Sequence, residues 1–378
     1  MINRGFKFMM VIGMMLLTGC GEELSTASSD ISISDDSESV SDSGYSSLVD
    51  SSKEYEVRRK TYTNSPYNYD FPDPSVIYDE KTNSYWAYGT GGKILQSFDL
   101  VNWSAKNNVF TLFPQWGSQD AGVWAPDIQK INGQYVYYYS LSRWGDDNPG
   151  IGFATAPRPN GPWTDKGELF RSLAIGVNNS IDPNVFTAQD GRVYMVWGSM
   201  RGNFMVELSR DGLRLIDGTP ELAANNLYHV AGLSTDISWT VGTYEGSYVL
   251  YKNGYYYLFL STGTCCEGIN STYKLVVARS TSPTGPYVDA YGNDMRQSNV
   301  GTPVISSNSH FVGTGHNSIL TDAVGDTWVL YHAYPVEEAN KRVLMMDKLL
   351  WDEDGWPYIE NGTPSYTEQT GPAYLVEV

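Results

Sequence analysis

Two short stretches, "FPDPSVIYD" at 71–79 and "SIDPNVF" at 180–186, each place an aspartate directly before a proline at the head of an apolar run. Proline removes a backbone donor and restricts the residue before it to extended geometry. Asp73 and Asp182 are therefore expected as fixed, extended residues at strand starts. Glu245 in "GTYEGSYVLYKNGYYYLF" precedes a similar run, as do Asp127 in "VWAPDI" and His316 in "GTGHNS". Carboxylates gathered in an aromatic pocket, with no nucleotide-binding motif nearby, suit acid–base work on a neutral polyol. Breaking a glycosidic bond is such work: one protonated acid serves the leaving oxygen and a second carboxylate stays ionised. A third acid can raise the proton donor's pKa, because like charges close together disfavour a second ionisation. Carboxyls about 6.5–9.5 Å apart leave room for a water and give inversion, a spacing that a wide channel suits.

Such side chains need a scaffold that brings distant segments together, and the chain repeats itself. A turn followed by an aromatic, alternating run appears as "EKTNSYWAYGT" at 80–90, "INGQYVYYYS" at 131–140 and "DGRVYMVWGS" at 190–199. It returns as "KNGYYYLFLST" at 252–262 and "GDTWVLYHAY" at 325–334. Turn residues of the Asn-Gly or Asp-Gly kind before period-2 strands are a strong hairpin signal. A further strand with its own ending follows each hairpin. Four strands per unit, repeated five times, make an all-β, five-bladed β-propeller. Two packed sandwiches are the alternative, but they give no reason for five similar units.

Asp73, Asp127, Asp182, Glu245 and His316 stand five to ten residues before the five turns, near the start of each blade's first strand. First strands line a propeller's channel, so the five side chains are expected to converge at one mouth. Taken singly, an acid at a strand end is an ordinary turn residue; the repeated set points to a site. Asp127 can equally tie neighbouring strands by accepting backbone hydrogen bonds.

These motifs, with "SFDLVNW" at 97–103, resemble glycoside hydrolase family 43 over residues 66–365. The stretch "CCEGINSTYKLVVARSTSPTGPYVD" at 265–289 and "GTGHNS" at 313–318 are similar to the endo-α-1,5-L-arabinanase branch rather than the xylosidases. The resemblance implies an arabinan-cleaving enzyme with Asp73 as general base, Glu245 as general acid and Asp182 positioning the sugar and tuning the acid. It implies that His316 lies near a central calcium ion held largely by water. A histidine hydrogen-bonded within the channel is the plainer reading of His316, since calcium prefers several oxygens. Trp124 is a candidate to stack on a sugar; most of the 11 Trp and 28 Tyr must fill blade interfaces. An exo-acting relative, with a cleft closed by loops such as 141–150 and 199–204, is an alternative. A non-catalytic glycan-binding propeller is another, although all three acids are present. His229, His310 and His332 carry no motif and are expected in core or solvated positions.

The ends and the composition add context. "MINRGFKFMMVIGMMLLTGC" has Arg4 and Lys7, a short apolar core and small residues before Cys20. This reads as a lipoprotein signal peptide over 1–19 with lipid attached to Cys20, an anchor rather than a membrane span. The Ser- and Asp-rich segment that follows cannot bury enough apolar area to offset its ordering entropy, so 20–62 is expected as a flexible tether. The propeller then occupies 63–378, with the tail 366–378 either a closing strand on the first blade or a free end. A lipid-anchored chain of this kind sits in the bacterial cell envelope, at the outer surface or the periplasmic face. The net charge of −18 argues against nucleic acid as a partner. Cys265 and Cys266 lack metal-site spacing and a C-x-x-C motif and are expected as buried thiols. The oligomeric state is not written in the sequence.

Overall fold

The computed structural model describes residues 54–233, 244–338 and 340–378. The expected signal segment, Cys20 and the first part of the tether lie outside the described residues. Five four-stranded antiparallel sheets stand around an axis, each with its strands in chain order. Their innermost strands are Ser75–Asp79, Gly122–Ile131, Asn184–Thr187, Tyr244–Lys252 and Phe311–Thr321, which define blades I to V. Asn83, Asn132 and Asn253 take positive φ at the inner hairpins of blades I, II and IV, as the tight turns require.

Alternation in the strands builds the interfaces. Among the described residues five buried apolar clusters occur, one between each pair of neighbouring blades: for example, Tyr88, Tyr137 and Tyr139 between blades I and II, and Phe259, Val277 and Tyr331 between IV and V. The inner strands are also laced to one another around the axis. Ser318 Oγ accepts the Val76 N–H at 3.0 Å, Ser75 Oγ the Ile128 N–H at 3.1 Å, Asp127 Oδ2 the Val185 N–H at 2.8 Å and Asn184 Oδ1 the Val249 N–H at 2.9 Å. Tyr248 completes the circuit by donating its hydroxyl to the Ile319 carbonyl at 2.9 Å. These polar side chains are satisfied by a neighbouring strand's backbone, which fixes blade spacing and height.

Closure uses both ends. Residues 64–71 run beside the third strand of blade V: Asn64 bonds the Met346 backbone, Leu344 N–H donates to the Tyr69 carbonyl at 3.0 Å and Phe71 N–H to the Arg342 carbonyl at 2.8 Å. Tyr55–Tyr62 pairs antiparallel with Gln369–Glu377 in a separate two-stranded sheet. This corrects the tether boundary, because composition shifts at Tyr55 from Ser and Asp to strand formers with a partner to pair with. The tail is a strand, but its partner is 55–62 rather than blade I. It is held by the Ala373 N–H donating to Asp322 Oδ2 at 2.8 Å and by Asn83 Nδ2 donating to the Leu375 carbonyl at 3.3 Å.

Candidate active site

A left-handed residue stands at the equivalent position of every inner strand, two residues before Ser75–Asp79 and Asn184–Thr187 and at a register shift within the other three: Asp73 (φ 58°), Ala125 (φ 36°), Asp182 (φ 60°), Gly246 (φ 57°) and His316 (φ 53°). The extended geometry expected for the two Asp-Pro aspartates is thus corrected. Aspartate tolerates the left-handed region better than most residues, and the surrounding bonds hold the unusual backbone in place. The next residue is Pro74, Pro126, Pro183, Ser247 or Asn317, so in three blades no N–H follows the turn. Four of these turns have their own N–H caught by the second-strand region of the preceding blade. Asp73 donates to His332 Nδ1 at 3.1 Å, Ala125 to Thr90 Oγ1 at 2.9 Å, Asp182 to Ser140 Oγ at 2.8 Å and His316 to Ser261 Oγ at 2.8 Å. For blade IV the equivalent residue of the preceding blade, Ser199, donates to the Glu245 carboxyl instead, Oγ to Oε2 at 2.6 Å.

Asp73, Asp182, Glu245, His316 and Trp124 consequently line one cavity of about 760 Å³ at the channel mouth. Asp127 does not join them. It lies buried among the inner strands, where Asn184 Nδ2, Val185 N–H, Gln129 Nε2 and Ser75 Oγ all donate to it. It stands two residues after the left-handed Ala125, the position that Ser75, Asn184 and Ser318 hold in their blades, and like them it is an inter-strand tie.

The carboxyls at the mouth differ in charge state. Burial disfavours an ionised Asp73, but Arg342, His316 and His332 outweigh it and hold the carboxyl well below the ordinary 3.8. Arg342 Nη1 is 3.0 Å from Asp73 Oδ1, and Thr90 donates to Oδ2 at 2.5 Å. Burial, with the Glu245 and Asp73 charges, lifts Asp182 well above its ordinary value. Burial also lifts Glu245, against the Ser199 hydroxyl that favours its anion. The surroundings therefore favour the ionised form of Asp73 and raise the proton affinity of the buried Glu245–Asp182 pair. His332 is pushed down to about 4 by burial, so its ring is neutral.

For an ion near His316, the donor set is sparse. Among the described residues no group of three or more His, Cys, Asp or Glu side chains is arranged to hold a metal. The two polar atoms of the Asn317 amide and the Ser247 hydroxyl are nevertheless buried without hydrogen-bond partners, at equivalent positions in adjacent blades. Such atoms fit a hydrated ion better than a closed protein cage.

Several site residues escaped the sequence reading. Thr90, Ser140, Ser199, Ser261 and His332 end or nearly end the five repeats, and that shared position was the signal for them. Arg342 and Trp144 had no such marker. Trp144 is 75% exposed beside Trp124, ring centroids 5.6 Å apart. Cys265 and Cys266 form a disulfide and line the cavity half-exposed, correcting the expectation of buried thiols. They occupy a loop above blade IV, outside the core, where Thr264 and Thr272 clasp the loop's neck.

Comparison with known proteins bears on the chemistry. The family model described as glycosyl hydrolases family 43 matches residues 62–357. The chain is 33% identical over 297 residues to extracellular endo-α-(1→5)-L-arabinanase 1 of Bacillus subtilis, covering 75% of this chain and 86% of that protein. It is also 33% identical over 312 residues to an extracellular exo-α-(1→5)-L-arabinofuranosidase of Cellvibrio japonicus, covering 79% and 89%. Among solved structures, the Cellvibrio cellulosa α-L-arabinanase complexed with arabinohexaose is similar at a TM-score of 0.71 and 32% identity, covering 78% of this chain and 96% of that one. The endo-arabinanase of Bacillus licheniformis is similar at 0.67 and 32%, covering 79% and 99%.

Proposed function

The chain belongs to glycosyl hydrolase family 43, and on that premise we propose that it cleaves internal α-1,5-L-arabinofuranosidic bonds of arabinan with inversion. The observation that carries this reading is the convergence of Asp73, Asp182 and Glu245 on one cavity at the channel mouth, where the surroundings favour an ionised Asp73 and raise the proton affinity of the Glu245–Asp182 pair. In the reaction Asp73 takes a proton from a water that attacks the anomeric carbon. Glu245 delivers its proton to the departing sugar oxygen. Asp182 and Glu245 share one buried site, where a second negative charge is costly, so the pair holds a proton available to the acid. Trp124, with Trp144 beyond it, offers an aromatic wall for neighbouring sugar rings. A calcium ion would be held by His316 and, through water, by the Asn317 amide and the Ser247 hydroxyl, and would supply positive charge beside the carboxyls.

Lipid attachment at Cys20 places the enzyme in the cell envelope, a reading supported by its extracellular relatives and by a disulfide suited to an oxidising compartment. The likeness to an exo-acting enzyme supports a second reading in which sugars leave one chain end. Debranched linear arabinan separates the two. A time course with intermediate oligomers that later shorten supports internal cleavage. A single small product from the outset means exo action, and no release means that another polymer is the substrate.

A further inference from the structure

We propose that Ser199 is a positioning residue that decides which oxygen of Glu245 carries the transferable proton; this rests on reading Glu245 as the general acid. The argument begins with Asn179, whose Nδ2 lies 3.1 Å from the Ser199 carbonyl and 3.0 Å from Ser199 Oγ. A carbonyl only accepts, so this contact settles that the amide's nitrogen end faces Ser199. The same nitrogen therefore donates to the hydroxyl. Asn179 engages one of the hydroxyl's two lone pairs, and its single proton is donated to Glu245 Oε2, 2.6 Å away. Oε2 is thereby committed as an acceptor, and the proton of the neutral acid resides on Oε1.

The serine has little freedom to do otherwise. It is 2% exposed. Its flanking backbone is fastened on both sides, Gly198 N–H to the Ile181 carbonyl at 3.0 Å and Met200 N–H to the Tyr244 carbonyl at 3.2 Å. Those carbonyls belong to the residues immediately before Asp182 and Glu245. In the other four blades the equivalent side chain receives a backbone N–H; here it serves a carboxyl instead. A protonated acid whose proton is free to occupy either oxygen is productive only part of the time, so a fixed donor on one oxygen is a gain in orientation.

The test compares two leaving groups. Arabinohexaose requires a protonated leaving oxygen, whereas a nitrophenyl arabinotrioside departs as a stable phenolate. Ser199→Ala is expected to lower kcat on arabinohexaose about 10- to 100-fold, with less than about threefold loss on the nitrophenyl substrate and little change in KM. Ser199→Thr, which keeps the hydroxyl, is expected to restore much of the selective loss. Asn179→Ala keeps Ser199 but frees its lone pair, and it is expected to show a smaller loss of the same selective kind if Ser199→Ala does not fold. Equal losses on both substrates, or none on either, overturn the inference. Glu245→Gln is measured alongside: if it too lacks leaving-group selectivity, the acid assignment itself fails, whereas selectivity in Glu245→Gln alone refutes only the role of Ser199.

Discussion

Arg342→Met removes the charge that keeps Asp73 ionised. Arg342 Nη1 lies 3.0 Å from Asp73 Oδ1, and the two side chains are 19% and 9% exposed, so solvent screens the pair weakly. Unit charges about 4 Å apart at an effective dielectric of about 20 attract by about 4 kcal/mol. That corresponds to a rise of about three pKa units in Asp73. His332 is neutral and cannot replace the lost charge at working pH. The acid limb of kcat/KM is therefore expected to move up by two to three pH units, roughly the range the Coulomb figure implies. Stability carries the same signature. A carboxyl with a depressed native pKa stabilises the fold above its unfolded value near 3.8, and that contribution disappears as pH falls through the native value. The variant should be less stable than wild type by about 3–5 kcal/mol at neutral pH, with the gap closing only as pH falls below 3.8 and through the depressed native value. Urea unfolding and pH–rate profiles, each with calcium and with a chelator, measure both effects. An unmoved acid limb together with a pH-independent stability gap would refute the coupling.

Asp127→Asn should cost about 2–4 kcal/mol in urea unfolding, because an amide nitrogen would face groups that only donate, while turnover below the transition stays near that of wild type. A large loss of turnover without loss of stability would return Asp127 to the site. Trp144→Ala should raise KM on arabinohexaose about two- to tenfold and leave kcat nearly unchanged, since it strips an exposed ring from the cleft wall. Reducing the Cys265–Cys266 bond with a phosphine should raise that KM by a similar two- to tenfold factor, roughly the cost of re-ordering a loosened loop. The Cys265→Ser/Cys266→Ser enzyme should show the raised KM without any response to the reductant.

Much of this architecture was legible because repetition is a sequence property. Five turn-plus-strand units announced five blades, and the charged residues ahead of them marked the mouth. What failed depended on contacts between units. The Asp-Pro pairs suggested extended aspartates, but hydrogen bonds from the preceding blade hold both in the left-handed region. Asp127 shared the spacing of the others, yet it stands two residues past the left-handed Ala125, among the positions that bond the neighbouring strand, so it ties blades together. The strand Tyr55–Tyr62 was hidden because its partner lies at the far end of the chain. Arg342 carries no local motif; only the closed ring brings it to Asp73.

The central claim is that an ionised base and a protonated acid act on opposite sides of the scissile bond, with water between base and sugar. Proton NMR of linear arabinan during the first minutes of hydrolysis tests it most directly, before mutarotation mixes the anomers. The account predicts that newly formed reducing ends appear first as the β-anomer. An α-anomer at the outset would mean retention and would contradict the roles given to Asp73 and Glu245.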